Sequence, residues 1–184
     1  MRTTLTASIL APSIVALGLA CPAAAQTSAP AANAAPQTYE TAIVNNKGET
    51  IGRIAIRDGA NTLVMRVTIQ PGGLPGGWHG IHFHAVGNCD DTAKFEQSKG
   101  HVNHDSSKHG LLNPEGPDEG DLPNVYANAD GSVNAEVSTD TPLTGEGGLK
   151  DADGAALVIH ANEDDHATQP IGNAGARIAC AVIK

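Results

Sequence analysis

Short runs of alternating apolar and polar residues, each ended by turn-forming residues, follow one another from residue 39 onward. In residues 63–69 the odd positions hold Leu, Met, Val and Ile. This alternation is typical of a strand with one face on a core. Similar runs at 39–44 and 51–57 are separated by the turn-forming segments 45–48 and 58–61. The pattern predicts consecutive antiparallel strands.

The rest of the chain continues this organisation with longer connections. The whole chain contains 21 Gly and 11 Pro but only 3% aromatic residues, which favours short strands and irregular loops over a helical bundle. No helix is predicted, and two long loops are expected at 87–123 and 161–176. We expect further strands at 79–86, 125–128, 132–137, 156–160 and 177–183.

The N-terminus has the pattern of a cleavable export signal. Arg2 precedes an apolar stretch at 9–20, and three alanines follow at 23–25. The apolar stretch is shorter than the roughly twenty residues that a membrane-spanning helix needs. We therefore predict that residues 1–25 are a signal peptide and not a membrane span.

The predicted organisation after cleavage is a flexible tether at 26–37 and one domain at 38–184. In an alternative, Cys21 is acylated as in a lipoprotein, which would anchor the chain to a membrane. Otherwise Cys21 is removed with the signal, and Cys89 and Cys180 are the two cysteines that remain. In the oxidising compartment that an export signal implies, two cysteines predict one disulfide.

The charge of the chain limits its partners. The formal net charge is −9, which argues against a nucleic-acid surface or an anionic membrane. A small anionic substrate remains possible, because the local field at the mouth of a site matters more than the net charge.

The histidines carry the main chemical signal. All eight lie at or after residue 79. In a strand, His82 and His84 point to the same face, where two imidazoles can bind one metal ion. His160 ends the apolar run 156–159 and could supply a third ligand. Ligation by imidazole without thiolate suits copper, zinc, iron or nickel.

The first long loop holds a second group of potential ligands. Imidazole and carboxylate side chains in a tetrahedral set are common around zinc, and glycines nearby allow such a loop to fold on itself. The candidates are His101, His104, His109, Asp118 and Asp121.

Several motifs, taken together and in order, resemble the copper/zinc superoxide dismutase family over residues 38–184. Each motif is weak alone, but the ordered set is specific. The matching segments are Gly80-Ile81-His82-Phe83-His84, Gly100-His101-Val102-Asn103, Lys108-His109-Gly110, Gly120-Asp121-Leu122-Pro123-Asn124, Leu157-Val158-Ile159-His160 and Gly172-Asn173-Ala174-Gly175-Ala176-Arg177-Ile178-Ala179-Cys180.

The resemblance implies an all-β fold: an eight-stranded antiparallel Greek-key barrel or sandwich, immunoglobulin-like, with two long functional loops. It implies disproportionation of superoxide to oxygen and hydrogen peroxide by a copper ion that cycles between Cu(II) and Cu(I), beside a structural zinc. The expected location is the periplasm, as a monomer or a homodimer. The alternative function is an exported copper- and zinc-binding module without turnover.

The resemblance also assigns roles to individual residues. His101 would bridge the two metals, and Arg177 would hold the substrate anion. Asp164 would link a copper histidine to a zinc histidine, with His79 supporting the site. The implied copper ligands are His82, His84, His101 and His160; the implied zinc ligands include His101, His109 and Asp121; the implied disulfide joins Cys89 and Cys180.

One departure from the family pattern leaves the zinc site open. The family usually has His three residues before the zinc aspartate, where this chain has Asp118, and it usually has Pro where this chain has His104. Our first hypothesis is a swap in which His104 replaces the missing ligand. The alternatives are that Asp118 is the ligand or that the zinc site is weakened or empty.

Overall fold

The computed structural model describes residues 38–184. The predicted signal peptide, the tether and Cys21 lie outside these residues. Nine strands and one 3-10 turn, Glu96–Ser98, make up the regular structure, and the described residues contain no α-helix. The strands are β1 Thr38–Asn45, β2 Thr50–Asp58, β3 Leu63–Ile69, β4 Gly77–His79, β5 Ile81–His84, β6 Val125–Ala127, β7 Val133–Thr139, β8 Ala155–His160 and β9 Arg177–Ile183.

Seven of the strands form one antiparallel sheet, in the order β5-β8-β9-β1-β2-β3-β7, and β4 pairs with β6. Strands β1, β2, β3 and β7 pair in the regular hairpin registers that the alternating sequence predicts. The last strand, β9, lies beside β1, so the sheet brings the two ends of the domain together as a Greek-key connection does. The prediction of an all-β antiparallel fold is confirmed.

One predicted strand, 79–86, is two strands in different sheets, which accounts for nine strands instead of eight. Gly80 separates β4 from β5. A Cβ at this position would lie 2.9 Å from the Cβ of Ala174 and 3.1 Å from that of Asp164. Glycine therefore lets the second long loop pack directly on the start of β5.

Strand β8 is buried along its whole length because both of its faces are covered. Leu157 and Ile159 belong to the main core. Ala156 and Val158 pack in a second cluster with Phe95 and the cysteines. His82 is paired with Val158, so the histidines of β5 share this second face.

Backbone hydrogen bonds hold the first long loop against the free edge of β5. The backbone N–H of Phe83 donates to the carbonyl of Gly120, and the N–H of Val102 donates to the carbonyl of Phe83. Single bridges also place His101 opposite His84 and Asp121 opposite His82. The loop thus covers a strand edge that would otherwise be open and brings its candidate ligands to the histidine pair.

A disulfide between Cys89 and Cys180 joins the start of this loop to β9, as predicted. Among the described residues, no helix is long and apolar enough to cross a membrane.

Candidate metal centre

Four histidine side chains converge at one end of β5 and β8. His82 and His84 are fully buried, and His160 is 1% exposed. The ring of His82 lies 4.2 Å from that of His101 and 4.8 Å from that of His160, centroid to centroid. The structure therefore brings together the strand histidines and the loop histidine that the sequence proposed for one metal.

Each of these rings holds one nitrogen ready to bind a metal. The carbonyl of Lys99 accepts from Nδ1 of His84 at 2.8 Å, and that of Gly175 accepts from Nδ1 of His160 at 3.0 Å. A carbonyl only accepts, so these nitrogens carry the ring protons. In these four rings, the buried nitrogens without a hydrogen-bond partner are Nδ1 of His82 and Nε2 of His84, His101 and His160.

Burial keeps the strand histidines uncharged, as metal ligation requires. It lowers the pKa of His84 well below its ordinary value, aided by the neighbouring His101 and Arg177. Burial, together with the nearby His82, lowers the pKa of His160 to about 3. Burial likewise lowers the pKa of His82, although the Asp164 carboxylate opposes the shift.

A second group lies on the other side of His101. Its Nδ1 is 3.0 Å from Oδ2 of Asp118 and 3.6 Å from Oδ1 of Asp121. Nδ1 of His109 is 2.5 Å from the same Asp121 oxygen. The ligand atoms of these four residues lie within 4.8 Å of one another. Two imidazoles and two carboxylates at this spacing form a donor set that zinc accepts.

Charge complementarity dominates this second group. Burial disfavours the charged forms, but the hydrogen bonds from His101 and His109 outweigh it and hold the pKa of Asp121 well below its usual range. Burial lowers the pKa of His101, but its contacts with Asp118 and Asp121 raise that pKa above its ordinary value. For His109, the contacts with Asp121 and Asp164 likewise outweigh burial and raise the pKa. A cation that replaced the ring protons would meet preformed negative charge.

Asp164 connects the two groups through its carboxylate. Oδ2 accepts from Nε2 of His82 at 2.6 Å, and Oδ1 accepts from Nε2 of His109 at 3.2 Å. These bonds leave Nδ1 of His82 without a partner and Nδ1 of His109 in contact with Asp121. His79 supports the site from outside it, with Nδ1 2.7 Å from the carbonyl of His160. Asp164 thus contacts one histidine of each group, and His79 contacts only main-chain atoms, outside both groups.

His104 lies apart from the second group. Its side chain is 50% exposed, and its Nδ1 is 3.6 Å from a carboxylate oxygen of Glu119. It belongs to none of the sets of converging ligand atoms in the described residues. Asp118, in contrast, is 5% exposed and belongs to the set with His101.

Arg177 lies at the start of β9, held by the loop that the disulfide anchors. Nη1 donates to the carbonyl of Phe95 at 2.7 Å and to Oγ of Ser98 at 3.0 Å. Nη2 donates at 2.7 Å to the carbonyl of Lys99, which also accepts from His84. One carbonyl thus accepts from both the guanidinium and the ring of His84. Arg177 lines an open cavity of about 350 Å³ together with His84, His101, His109 and Asp118.

The sequence did not indicate several residues that hold this site in place. Nε2 of Gln169 donates to the carbonyl of His109 at 2.7 Å, and its Oε1 accepts from the His109 N–H at 3.1 Å. Asn124 bonds to the main chain of Asp164. Lys99 has a φ of 67°, unusual for a residue with a Cβ. The sequence does not reveal these hydrogen bonds, because the loops have no periodic pattern and the bonding partners are distant in the chain.

The unpartnered nitrogens of the four converging histidines and the adjacent carboxylate group fit a copper and a zinc ion, since copper accepts imidazole and zinc accepts imidazole with carboxylate. Fold and site together define an antiparallel β protein with two adjoining groups of potential metal ligands that share His101. The family model for copper/zinc superoxide dismutase matches residues 50–183. The chain belongs to the copper/zinc superoxide dismutase family.

Similar proteins agree with this assignment. The chain is 45% identical over 150 residues to a Cu-Zn superoxide dismutase of Caulobacter vibrioides, covering 78% of this chain and 84% of the relative. A superoxide dismutase-like protein from Bacillus subtilis is 35% identical with a TM-score of 0.74, covering 79% of this chain and 97% of that structure. The Brucella abortus Cu/Zn superoxide dismutase is 27% identical with a TM-score of 0.63, covering 80% and 100%.

Proposed function

We propose that this chain disproportionates superoxide to oxygen and hydrogen peroxide, with copper and zinc as its metals. The observation that carries the proposal is the convergence of four unpartnered, buried histidine nitrogens beside a fixed guanidinium. Copper held by these nitrogens would supply the one-electron exchange that both halves of the reaction need, which zinc cannot do. Zinc has a structural role.

The copper ligands of the proposal are His82, His84, His101 and His160. His101 has a second role because its two ring nitrogens face different groups. Nδ1 lies among the zinc-side carboxylates, and Nε2 faces the copper-side histidines. Nε2 is therefore the atom where this chain can hold a proton close to the substrate position.

Arg177 supplies the positive charge that attracts and orients the superoxide anion. We expect Arg177→Glu to lower the catalytic rate constant about 10–100-fold at low ionic strength, since a local field of this kind accelerates association by that order. Copper content should not change. Pulse radiolysis at several salt concentrations, with metal analysis of the same samples, measures both quantities.

Arg66→Glu is the matched control, because it makes the same charge change on β3, where Arg66 pairs with Glu136 on the exposed face of the sheet. Equal rates in Arg177→Glu and Arg66→Glu would exclude a local role for Arg177.

For the zinc site we propose His101, His109, Asp118 and Asp121 as ligands, and not the swap to His104. The burial of Asp118 and its contact with His101 support this choice, as does the exposure of His104. Outer partners of metal ligands contribute about 10–100-fold to affinity, so we expect Asp118→Ala to weaken zinc binding by about 100-fold or more. His104→Ala should bind zinc as the wild type does.

Competition with a zinc chelator on both variants measures the two dissociation constants. Zinc loss in His104→Ala with unchanged binding in Asp118→Ala would restore the swap hypothesis. If neither variant lost zinc affinity, His101, His109 and Asp121 would be sufficient to bind zinc.

The activity itself is tested by loading the chain with copper and zinc, measuring both metals by elemental analysis, and assaying superoxide disproportionation on the same sample. Activity in proportion to bound copper supports the enzyme. Full copper content without activity would instead support the metal-binding module without turnover.

We also propose that residues 1–25 are a cleaved signal peptide and that the mature protein is periplasmic. The charged start, apolar stretch and small residues before Gln26 support this proposal. The intact mass of the protein from a periplasmic extract should correspond to a chain beginning at Gln26. A mass that matches acylation at Cys21 would favour the lipoprotein alternative, and retention of Met1 would contradict both.

A further inference from the structure

The side chain of Asn124, directly before β6, bonds to the main chain of Asp164 at both ends of its amide. Its Oδ1 accepts from the N–H of Asp164 at 2.9 Å, and its Nδ2 donates to the carbonyl of Asp164 at 2.8 Å. A peptide N–H can only donate and a carbonyl can only accept. These two contacts therefore determine which end of the amide is oxygen and which is nitrogen.

The orientation of this amide determines the position of a proton on His166. Nδ2 of Asn124 also lies 3.0 Å from Nε2 of His166. Because the NH2 group can only donate, Nε2 accepts, and the ring proton is on Nδ1. Nδ1 is buried, has no hydrogen-bond partner, and lies 3.7 Å from Oδ2 of Asp164. Its N–H therefore faces a carboxylate.

The backbone of His166 is tied to the same carboxylate and to the first long loop. Its N–H donates to Oδ1 of Asp164 at 2.6 Å, and its carbonyl accepts from the N–H of Leu112 at 3.0 Å. Its φ of 58° is in the left-handed region, which is uncommon for a residue with a Cβ. Bonds on both sides hold His166 in this conformation.

We propose that Asn124 and His166 are positioning residues for Asp164, a pair that we call the Asp164 clamp. The clamp holds the carboxylate between His82 and His109, and the partial positive charge of the His166 Nδ1–H faces it at 3.7 Å. The inference rests on the proposed function, because that proposal places His82 in the copper site and His109 in the zinc site. A held carboxylate orients both rings toward the metals, so its loss should weaken metal retention.

The rate at which zinc passes from the copper- and zinc-loaded chain to a chelator tests the clamp. Asn124→Ala and His166→Phe should each release zinc about tenfold faster, as expected for outer partners of metal ligands. The double variant should be close to either single variant, because both changes act through one carboxylate. Asn128→Ala is the matched control, since Asn128 bonds to Ser132 in the β6–β7 turn, and it should release zinc at the wild-type rate.

A second measurement needs no variant. In the zinc-loaded protein with copper reduced to Cu(I), which is diamagnetic, a long-range proton–nitrogen NMR spectrum assigns the ring proton of His166. The clamp requires it on Nδ1. A proton on Nε2, or wild-type zinc release in His166→Phe, would overturn the clamp. Neither the zinc-release rate nor the NMR spectrum depends on turnover. If the copper-loaded wild type were inactive, the proposed function would be rejected, but these two measurements would still test the clamp.

Discussion

Replacement of His160 by alanine should abolish copper binding and superoxide disproportionation together. His160 is 1% exposed, and its Nε2 is one of the four converging nitrogens without a partner. An outer partner of a metal ligand is worth about 10–100-fold in affinity, so loss of a direct ligand should cost more. Elemental analysis after dialysis and the superoxide assay should both fall to background.

His104→Ala is the matched control, because it removes an imidazole that is half exposed and makes only a long contact with Glu119. It should retain copper and activity. If His160→Ala kept its copper but lost activity, His160 would have another role than ligation. If it kept both, the proposed copper site would be wrong.

Replacement of Cys89 and Cys180 by serine should lower the free energy of unfolding by about 4–5 kcal/mol in the chain-entropy picture. The reason is the long loop that the bond closes, with 91 residues of sequence separation. The serines would also place hydroxyl groups beside Phe95 and Val158 in the second core cluster. Denaturant titration of metal-free protein measures the change.

The same double variant should lose activity per bound copper. The loop that the disulfide anchors supplies the carbonyls of Phe95 and Lys99 that hold Arg177. A loop released from β9 would leave the guanidinium without fixed acceptors.

Wild-type protein reduced with a thiol is the control for the serine substitutions. An unchanged unfolding midpoint in both samples would contradict the structural role of the bond.

Much of the fold was predictable because its strands obey local rules. The alternation in 63–69 corresponds to β3, in which Leu63, Met65, Val67 and Ile69 are buried in turn. The boundary between β4 and β5 was not predictable, because Gly80 reads as an ordinary strand residue. Its role depends on the approach of Ala174 from a distant loop.

The candidate site also has features that the sequence predicts and features that it does not. That His82 and His84 share a face follows from strand periodicity. The contribution of Asn124, Gln169 and His166 could not be predicted, because each acts through a hydrogen bond to a residue about 40–60 positions away.

The sequence by itself determined the all-β class, the shared face of the histidine pair and, through its ordered motifs, the family. These properties depend on periodicity and residue type, which are local. Only the tertiary structure decided that Asp118 faces His101 while His104 faces solvent, and that the carbonyl of Lys99 joins Arg177 to His84. The direction of a loop side chain depends on how the loop folds against β5, and no local pattern encodes that path.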